Sequence, residues 1–238
     1  MLVAGSLATK PARMVDAGEA VQLVGPPPRF VGRGGEKLDA ALDRFAVVVE
    51  GRRCLDAGAS TGGFTDCLLQ RGATEVVAVD VGYGQLHERL RADPRVRNLE
   101  RTNVRSLSAD DVGGPARLVV ADLSFISLRT VLAALLGLAT ADADLVLLVK
   151  PQFEAGREEA AKGKGVIRDP EVWARVLHEV RAAALSQGAA MMDAMASPIT
   201  GAEGNVEFLV HLRAGATGGV TEAALADVVA AAVAEHGR

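Results

Sequence analysis

Two ionisable residues end apolar runs in this sequence, Asp122 after residues 118–121 and Lys150 after residues 145–149. An ammonium at the end of a buried strand is costly unless solvated or paired, so Lys150 implies a carboxylate partner. Asp122 can meet it if the two strands are neighbours, although alone it reads first as a helix cap. Lys37, behind Arg33-Gly34-Gly35-Glu36, and Glu207, within Gly204-Asn205-Val206-Glu207-Phe208, are surface charges if taken singly. Together the four would set two lysines and two acids around a substrate hydroxyl. There Lys150 acts as a base if neutral and stabilises a developing oxyanion if protonated. Nearby acids favour the charged form, and desolvation and Lys37 the neutral one.

A second group lies in Leu55-Asp56-Ala57-Gly58-Ala59-Ser60-Thr61-Gly62-Gly63-Phe64. Glycines at a strand-to-helix crossing let the backbone approach a ligand, and the following helix offers free N–H groups. No lysine follows them as in a phosphate-binding loop, and the spacing is not that of a dinucleotide fingerprint, so an adenosine-containing ligand fits better. Asp80 ends the next strand, where a carboxylate accepts from ribose hydroxyls or anchors a turn, and the upstream glycines favour ribose. Asp56 is expected to anchor the turn near the amino end of such a ligand.

The positioning elements follow from hydrophobic spacing. Strands are expected over 52–57, 75–79, 96–100, 118–121, 145–149, 191–196 and 206–212, with helices over 36–46, after Gly63, and over 85–91, 128–138 and 170–185. A polar, glycine-punctuated loop follows Lys150. Such alternation implies a mostly parallel sheet covered on both faces, with ligand chemistry outside the carboxyl ends of its strands, where Gly58, Asp80, Asp122 and Lys150 fall. Before Arg29, a short strand over 21–24 and Pro26-Pro27-Pro28 read as an irregular extension or as the tail of a small domain.

Composition narrows the class. With 238 residues, one full domain and a modest appendage fit. Aromatics are 3% of the chain, so Ala, Val and Leu must fill the core. A net charge of −4 argues weakly against nucleic acid, which needs a local basic surface. Two cysteines without companion histidines imply neither a disulfide framework nor a zinc site, and the default is a reduced cytoplasmic setting with no metal. The apolar stretch 131–149 is broken by Asp142 and Asp144, which disfavours membrane insertion.

Taken in order, Arg33-Gly34-Gly35-Glu36-Lys37-Leu38, the glycine loop, Asp80-Val81-Gly82-Tyr83-Gly84-Gln85-Leu86, Thr102-Asn103-Val104-Arg105, Asp122-Leu123-Ser124-Phe125-Ile126-Ser127, Lys150-Pro151-Gln152-Phe153-Glu154 and the Glu207 block resemble the FtsJ-type ribose 2'-O-methyltransferases. Within these they resemble the TlyA or haemolysin-A family of ribosomal RNA methyltransferases. The resemblance implies an α/β, Rossmann-like methyltransferase fold with a seven-stranded, mostly parallel sheet over residues 29–238, preceded by a truncated S4-like RNA-binding remnant over 1–28. It implies a catalytic tetrad of Lys37, Asp122, Lys150 and Glu207. It also implies S-adenosyl-L-methionine bound near Gly58, Ser60, Gly62, Asp80, Asn103 and Asp122, to which the loop reading adds Asp56 and Gly63, and cytidine in ribosomal RNA or ribosomal subunits as substrate. Arg29, Arg33 and Arg44 at the entrance, and Arg157, Lys162 and Lys164 in the later loop, are the expected RNA contacts. An inactive ribosomal RNA-binding protein, a small-molecule methyltransferase and a cytolysin are the competing readings.

Overall fold

The computed structural model describes residues 1–8, 13–22, 28–201 and 203–236, with backbone alone at Arg157, Ala160 and Lys162. Near the start, β1 (Leu2–Val3), β2 (Ser6–Leu7) and β3 (Val21–Gln22) form a small antiparallel sheet in the order β2-β1-β3. Residues 23–27, holding the rest of the expected strand and two of the three prolines, lie outside the described residues.

The chain then alternates: α1 (Gly34–Arg44), β4 (Arg53–Ala57), α2 (Gly63–Gln70), β5 (Glu75–Val79), α3 (Glu88–Arg91), β6 (Val96–Leu99), β7 (Ala116–Ala121), α4 (Leu128–Gly137), β8 (Ala139–Val149). After α5 (Pro151–Glu154) and α6 (Arg157–Lys162) come α7 (Pro170–Ser186), β9 (Ala189–Ala196), β10 (Phe208–Ala214) and α8 (Glu222–His236). The seven expected strands form one sheet in the order β6-β5-β4-β7-β8-β10-β9. β4 to β8 run parallel, and β10 is antiparallel to both neighbours.

Alternating side chains divide the core between the two faces of the sheet. Leu118 and Val120 of β7 pack with Leu38, Leu42, Phe64 and Leu68 of α1 and α2. Val119 and Ala121 pack with Leu132, Leu135, Val176, Leu177 and Val229 of α4, α7 and α8. The Ala-rich α8 was not anticipated, because alanine on every face blurs the 3.6-residue contrast that marks an amphipathic helix. The segment after Lys150, expected as loop, contains two short helices. Proline at the first position of α5 suits helix entry, since the N–H it lacks would have no intrahelical partner.

The last strand begins at Phe208 rather than at residue 206. Glu207 therefore precedes β10, and because β10 runs backwards its start lies at the carboxyl ends of the parallel strands, with Phe208 opposite Val149.

Candidate active site

The loop from β4 to α2 turns through Gly58, which has φ +86; a Cβ there would stand 2.5 Å from the backbone oxygen of Asp122. Glycine thus lets two strand ends close on each other. At Gly63 the start of α2 packs against the start of α1, a Cβ there lying 2.9 Å from the Gly35 nitrogen. That close approach brings Lys37 toward the sheet. Gly62, with φ +97, packs against Leu86 and Leu90, where a Cβ would stand 2.2 Å from Leu90 Cδ1, and it shapes the loop without lining the cavities below.

Three cavities adjoin along the strand ends. The first, about 410 Å³, is lined by Gly58, Ser60, Asp80, Asn103 and Asp122 among others. The second, about 200 Å³, runs beneath the glycine loop past Gly34 and Gly63 to Asp122 and Lys150. The third, about 380 Å³, continues from Lys150 between Phe125, Phe153, Asn205 and Glu207. Lys150 and Ser124 line both the second and the third.

Asp80 accepts from the Ser60 amide at 2.8 Å and the Gly82 amide at 2.7 Å. The turn-anchoring role is therefore real, and each carboxylate oxygen keeps a further lone pair for a hydroxyl. Asn103 accepts from the Arg105 amide at 3.0 Å, starting a short 3-10 turn at the wall of the first cavity.

Asp56 lies deeper than expected. It is fully buried, accepts from the Thr65 hydroxyl at 2.6 Å, and lines none of the three cavities. Its expected approach to the ligand is not what this geometry shows. Burial pushes its carboxyl up to about 7 against the Thr65 hydrogen bond, with the charges of Asp122 and Asp80 adding to the rise. The folded state thus holds this proton more tightly than the unfolded chain. Its contribution to stability is complete below the ordinary aspartate range and is lost as pH rises through about 7. Asp56→Asn, a mimic of the neutral form, is expected to gain stability relative to the original protein as pH rises from about 4 to about 7, read as Tm. Parallel Tm curves would contradict a proton on Asp56.

The four ionisable residues form two pairs. Lys150 Nζ lies 2.5 Å from Asp122 Oδ1 and 3.0 Å from Ser124 Oγ. Lys37 Nζ lies 2.5 Å from Glu207 Oε2, and both side chains are buried, which corrects the surface-charge reading of each. A partner 170 positions away in sequence offsets the desolvation of Lys37.

Ser124, Phe125 and Phe153 received no role from sequence. Phe125 has φ +63, is 91% exposed, and stands with its ring 5.2 Å from that of Phe153. One of only six phenylalanines, directly after the Asp122 turn, was the available signal.

The expected RNA contacts scatter. Arg33 and Lys164 are exposed, and Arg29 is hydrogen-bonded to Asp39. Arg44 ends α1, far along the helix from Lys37, and pairs with Asp193 at 3.4 Å, so it does not frame the entrance. The side chains of Arg157 and Lys162 lie outside the described residues. The loop bearing Lys164 is fastened by Asn205, which donates to the Gly165 oxygen and accepts from the Ile167 amide, each at 2.9 Å. Among the described residues, no group of three or more His, Cys, Asp or Glu side chains is placed to hold a metal.

A family model described as FtsJ-like methyltransferase matches residues 30–214, a span containing both lysine–carboxylate pairs and all three cavities. The chain belongs to the FtsJ-like methyltransferase family. It is 51% identical over 97% of its length to the 16S/23S rRNA (cytidine-2'-O)-methyltransferase TlyA of Mycobacterium tuberculosis, covering 86% of that protein. It is 40% identical to Hemolysin A of Brachyspira hyodysenteriae, over 77% of this chain and 76% of the relative. A solved Streptococcus thermophilus protein, provisionally assigned as a hemolysin, superposes with a TM-score of 0.87 at 42% identity, over 97% of this chain and 84% of that one. This FtsJ-like chain thus shares sequence with a protein named for RNA methylation, and sequence and fold with proteins named for haemolysis. Among its described residues, no helix is long and apolar enough to cross a membrane.

Proposed function

We propose that this protein transfers the methyl group of S-adenosylmethionine to a ribose 2'-hydroxyl of cytidine in ribosomal RNA. The observation carrying this reading is that Lys150, held by Asp122 and Ser124, lines both the cavity under the glycine loop and the cavity beyond it. One amine-bearing side chain is thereby shared by a donor compartment and an acceptor compartment.

The residues present fit the cofactor. The Gly58 turn, the Asp80 carboxylate and the Asn103 wall suit an adenosine, and the narrower space toward Lys150 suits the methionine end. When bound, S-adenosylmethionine supplies an electrophilic methyl on a positively charged sulfur. Lys150 Nζ is the group that meets the 2'-oxygen and either takes its proton or stabilises the charge it develops. Asp122 and Ser124 fix the direction of Nζ. Glu207, which lines the acceptor cavity and is locked in place by Lys37 behind it, orients the ribose, and orientation supplies much of the rate.

Gly58→Ala is expected to weaken S-adenosylhomocysteine binding at least about tenfold and to lower stability by about 2–4 kcal/mol, through a strained backbone and a clash with Asp122. Calorimetric titration and thermal unfolding read the two effects. Near-normal binding would remove the loop from the cofactor site.

The exposed Phe125 beside an open cavity favours a splayed nucleotide over an enclosed small molecule. Arg33 and Lys164 are the proposed phosphate contacts. Such a substrate places the protein with ribosomes in the cytoplasm. The deciding experiment incubates the protein with methyl-labelled cofactor and ribosomal subunits, then digests the RNA to nucleosides. Label is expected in 2'-O-methylcytidine. Label on a base or in another nucleoside, or cofactor binding with no transfer to either subunit, would overturn the reading, the last result favouring an inactive binding protein.

A further inference from the structure

Glu154 ends α5, four residues after Lys150, and its side chain is 2% exposed. It accepts from three consecutive residues on another segment: the Ser127 hydroxyl at 2.6 Å, the Leu128 amide at 2.5 Å and Arg129 Nε at 3.2 Å. Its main-chain oxygen accepts from Arg129 Nη2 at 2.9 Å. Arg129 also reaches Glu179 on α7 at 2.7 Å, which anchors the arrangement to the helical layer behind it.

A helix N-terminus is ordinarily capped by its own Ser, Thr, Asp or Asn. Ser127 occupies that position in α4, yet its hydroxyl makes no cap bond to its own helix and is given to Glu154. The cap comes from 26 residues away in sequence. Residues 122–127 are the loop of Asp122, Ser124 and Phe125, and residues 150–154 are the loop of Lys150 and Phe153. The two loops are joined at one end by the Lys150–Asp122 ion pair and at the other by Glu154, with the Phe125 and Phe153 rings between. The left-handed φ of +63 at Phe125 is a conformation that a phenylalanine keeps only when its surroundings over-determine it.

Resting on the methyl transfer proposed above, we infer that Glu154 is a positioning residue that clamps the two loops and thereby sets Lys150 Nζ against Asp122 and the substrate oxygen. It touches neither cofactor nor substrate. Removing it frees the second attachment point, and the lysine loses its direction while both binding cavities remain.

The test uses the full chain with ribosomal subunits and labelled cofactor. For Glu154→Ala, kcat is expected to fall about 30- to 100-fold, with KM for the subunits and Kd for S-adenosylhomocysteine each within about threefold of the original. Glu154→Gln keeps an acceptor for the Leu128 amide but loses the charge that holds Arg129, and its kcat is expected to lie between about threefold and about tenfold below the original. A simple helix cap would lower Tm and leave kcat per folded molecule unchanged in both variants, and that result would overturn the inference. If the alanine variant does not fold, the glutamine variant decides: a kcat loss of at least about threefold at near-original Tm supports the clamp, and an unchanged kcat overturns it. Absence of transfer by the unaltered protein would instead strike the parent reading and this role with it, so the two failures are told apart by the unaltered protein alone.

Discussion

Replacing Lys150 with alanine is expected to reduce methyl transfer by about 10³-fold or more while leaving S-adenosylmethionine affinity within about threefold. The asymmetry follows from position. Gly58, Ser60, Asp80 and Asn103 line the large cavity proposed above for the adenosine, which Lys150 does not reach. Lys150 touches only the narrow space beneath the glycine loop and the acceptor cavity beyond it. Its Nζ is held within hydrogen-bonding distance of Asp122 and Ser124, so in the proposed reaction truncation removes the oriented group that faces the 2'-oxygen. Lys150→Arg keeps a charge but replaces a compact point donor with a planar fork, and it should stay at least about tenfold impaired. Single-turnover transfer and equilibrium binding measure the two quantities separately. An alanine variant that still methylates at more than a tenth of the original rate would remove Lys150 from the chemistry.

The second large effect concerns stability and activity together. Glu207→Ala leaves the Lys37 ammonium buried without its partner, at a cost of about 3–5 kcal/mol. For a chain of this length that lowers Tm by roughly 10 °C. The double variant Lys37→Met with Glu207→Leu removes both charges and should regain most of the lost stability, because an apolar pair of similar volume avoids desolvation altogether. Activity should not return with it. A double variant that is stable and inactive separates the role of the pair at the ribose from its role in the fold. If the double variant were as active as the original protein, the pair would be structural only, and the site would reduce to Lys150 and Asp122.

The glycine loop, Asp80, Asp122 and Lys150 could all be placed before any coordinates, because each ends an apolar strand of a parallel sheet. That class of fold gathers ligand chemistry at those ends. Asp56 lies deeper than its place in the motif suggests. It stands in the same loop motif, but its position on β4 turns the carboxyl inward to Thr65, and a strand's two faces are distinguished only once the helices have packed. Arg44 likewise lies away from its expected place, since a helix of eleven residues carries its last turn well away from its first. Phe125 and Glu154 were invisible as participants, one depending on a left-handed backbone and the other on hydrogen bonds to a different segment.

By itself, the sequence determined the strand and helix alternation, the direction in which the active edge faces, and the residue types available there, since these depend on local spacing and short-range propensity. Tertiary structure alone decided that Lys37 pairs with Glu207. The reversal of β10 carries Glu207 to the carboxyl edge, and glycine-to-glycine packing carries Lys37 there from α1. Such contacts join residues up to 170 positions apart, where no local pattern records the partner and only the burial of both charges selects it.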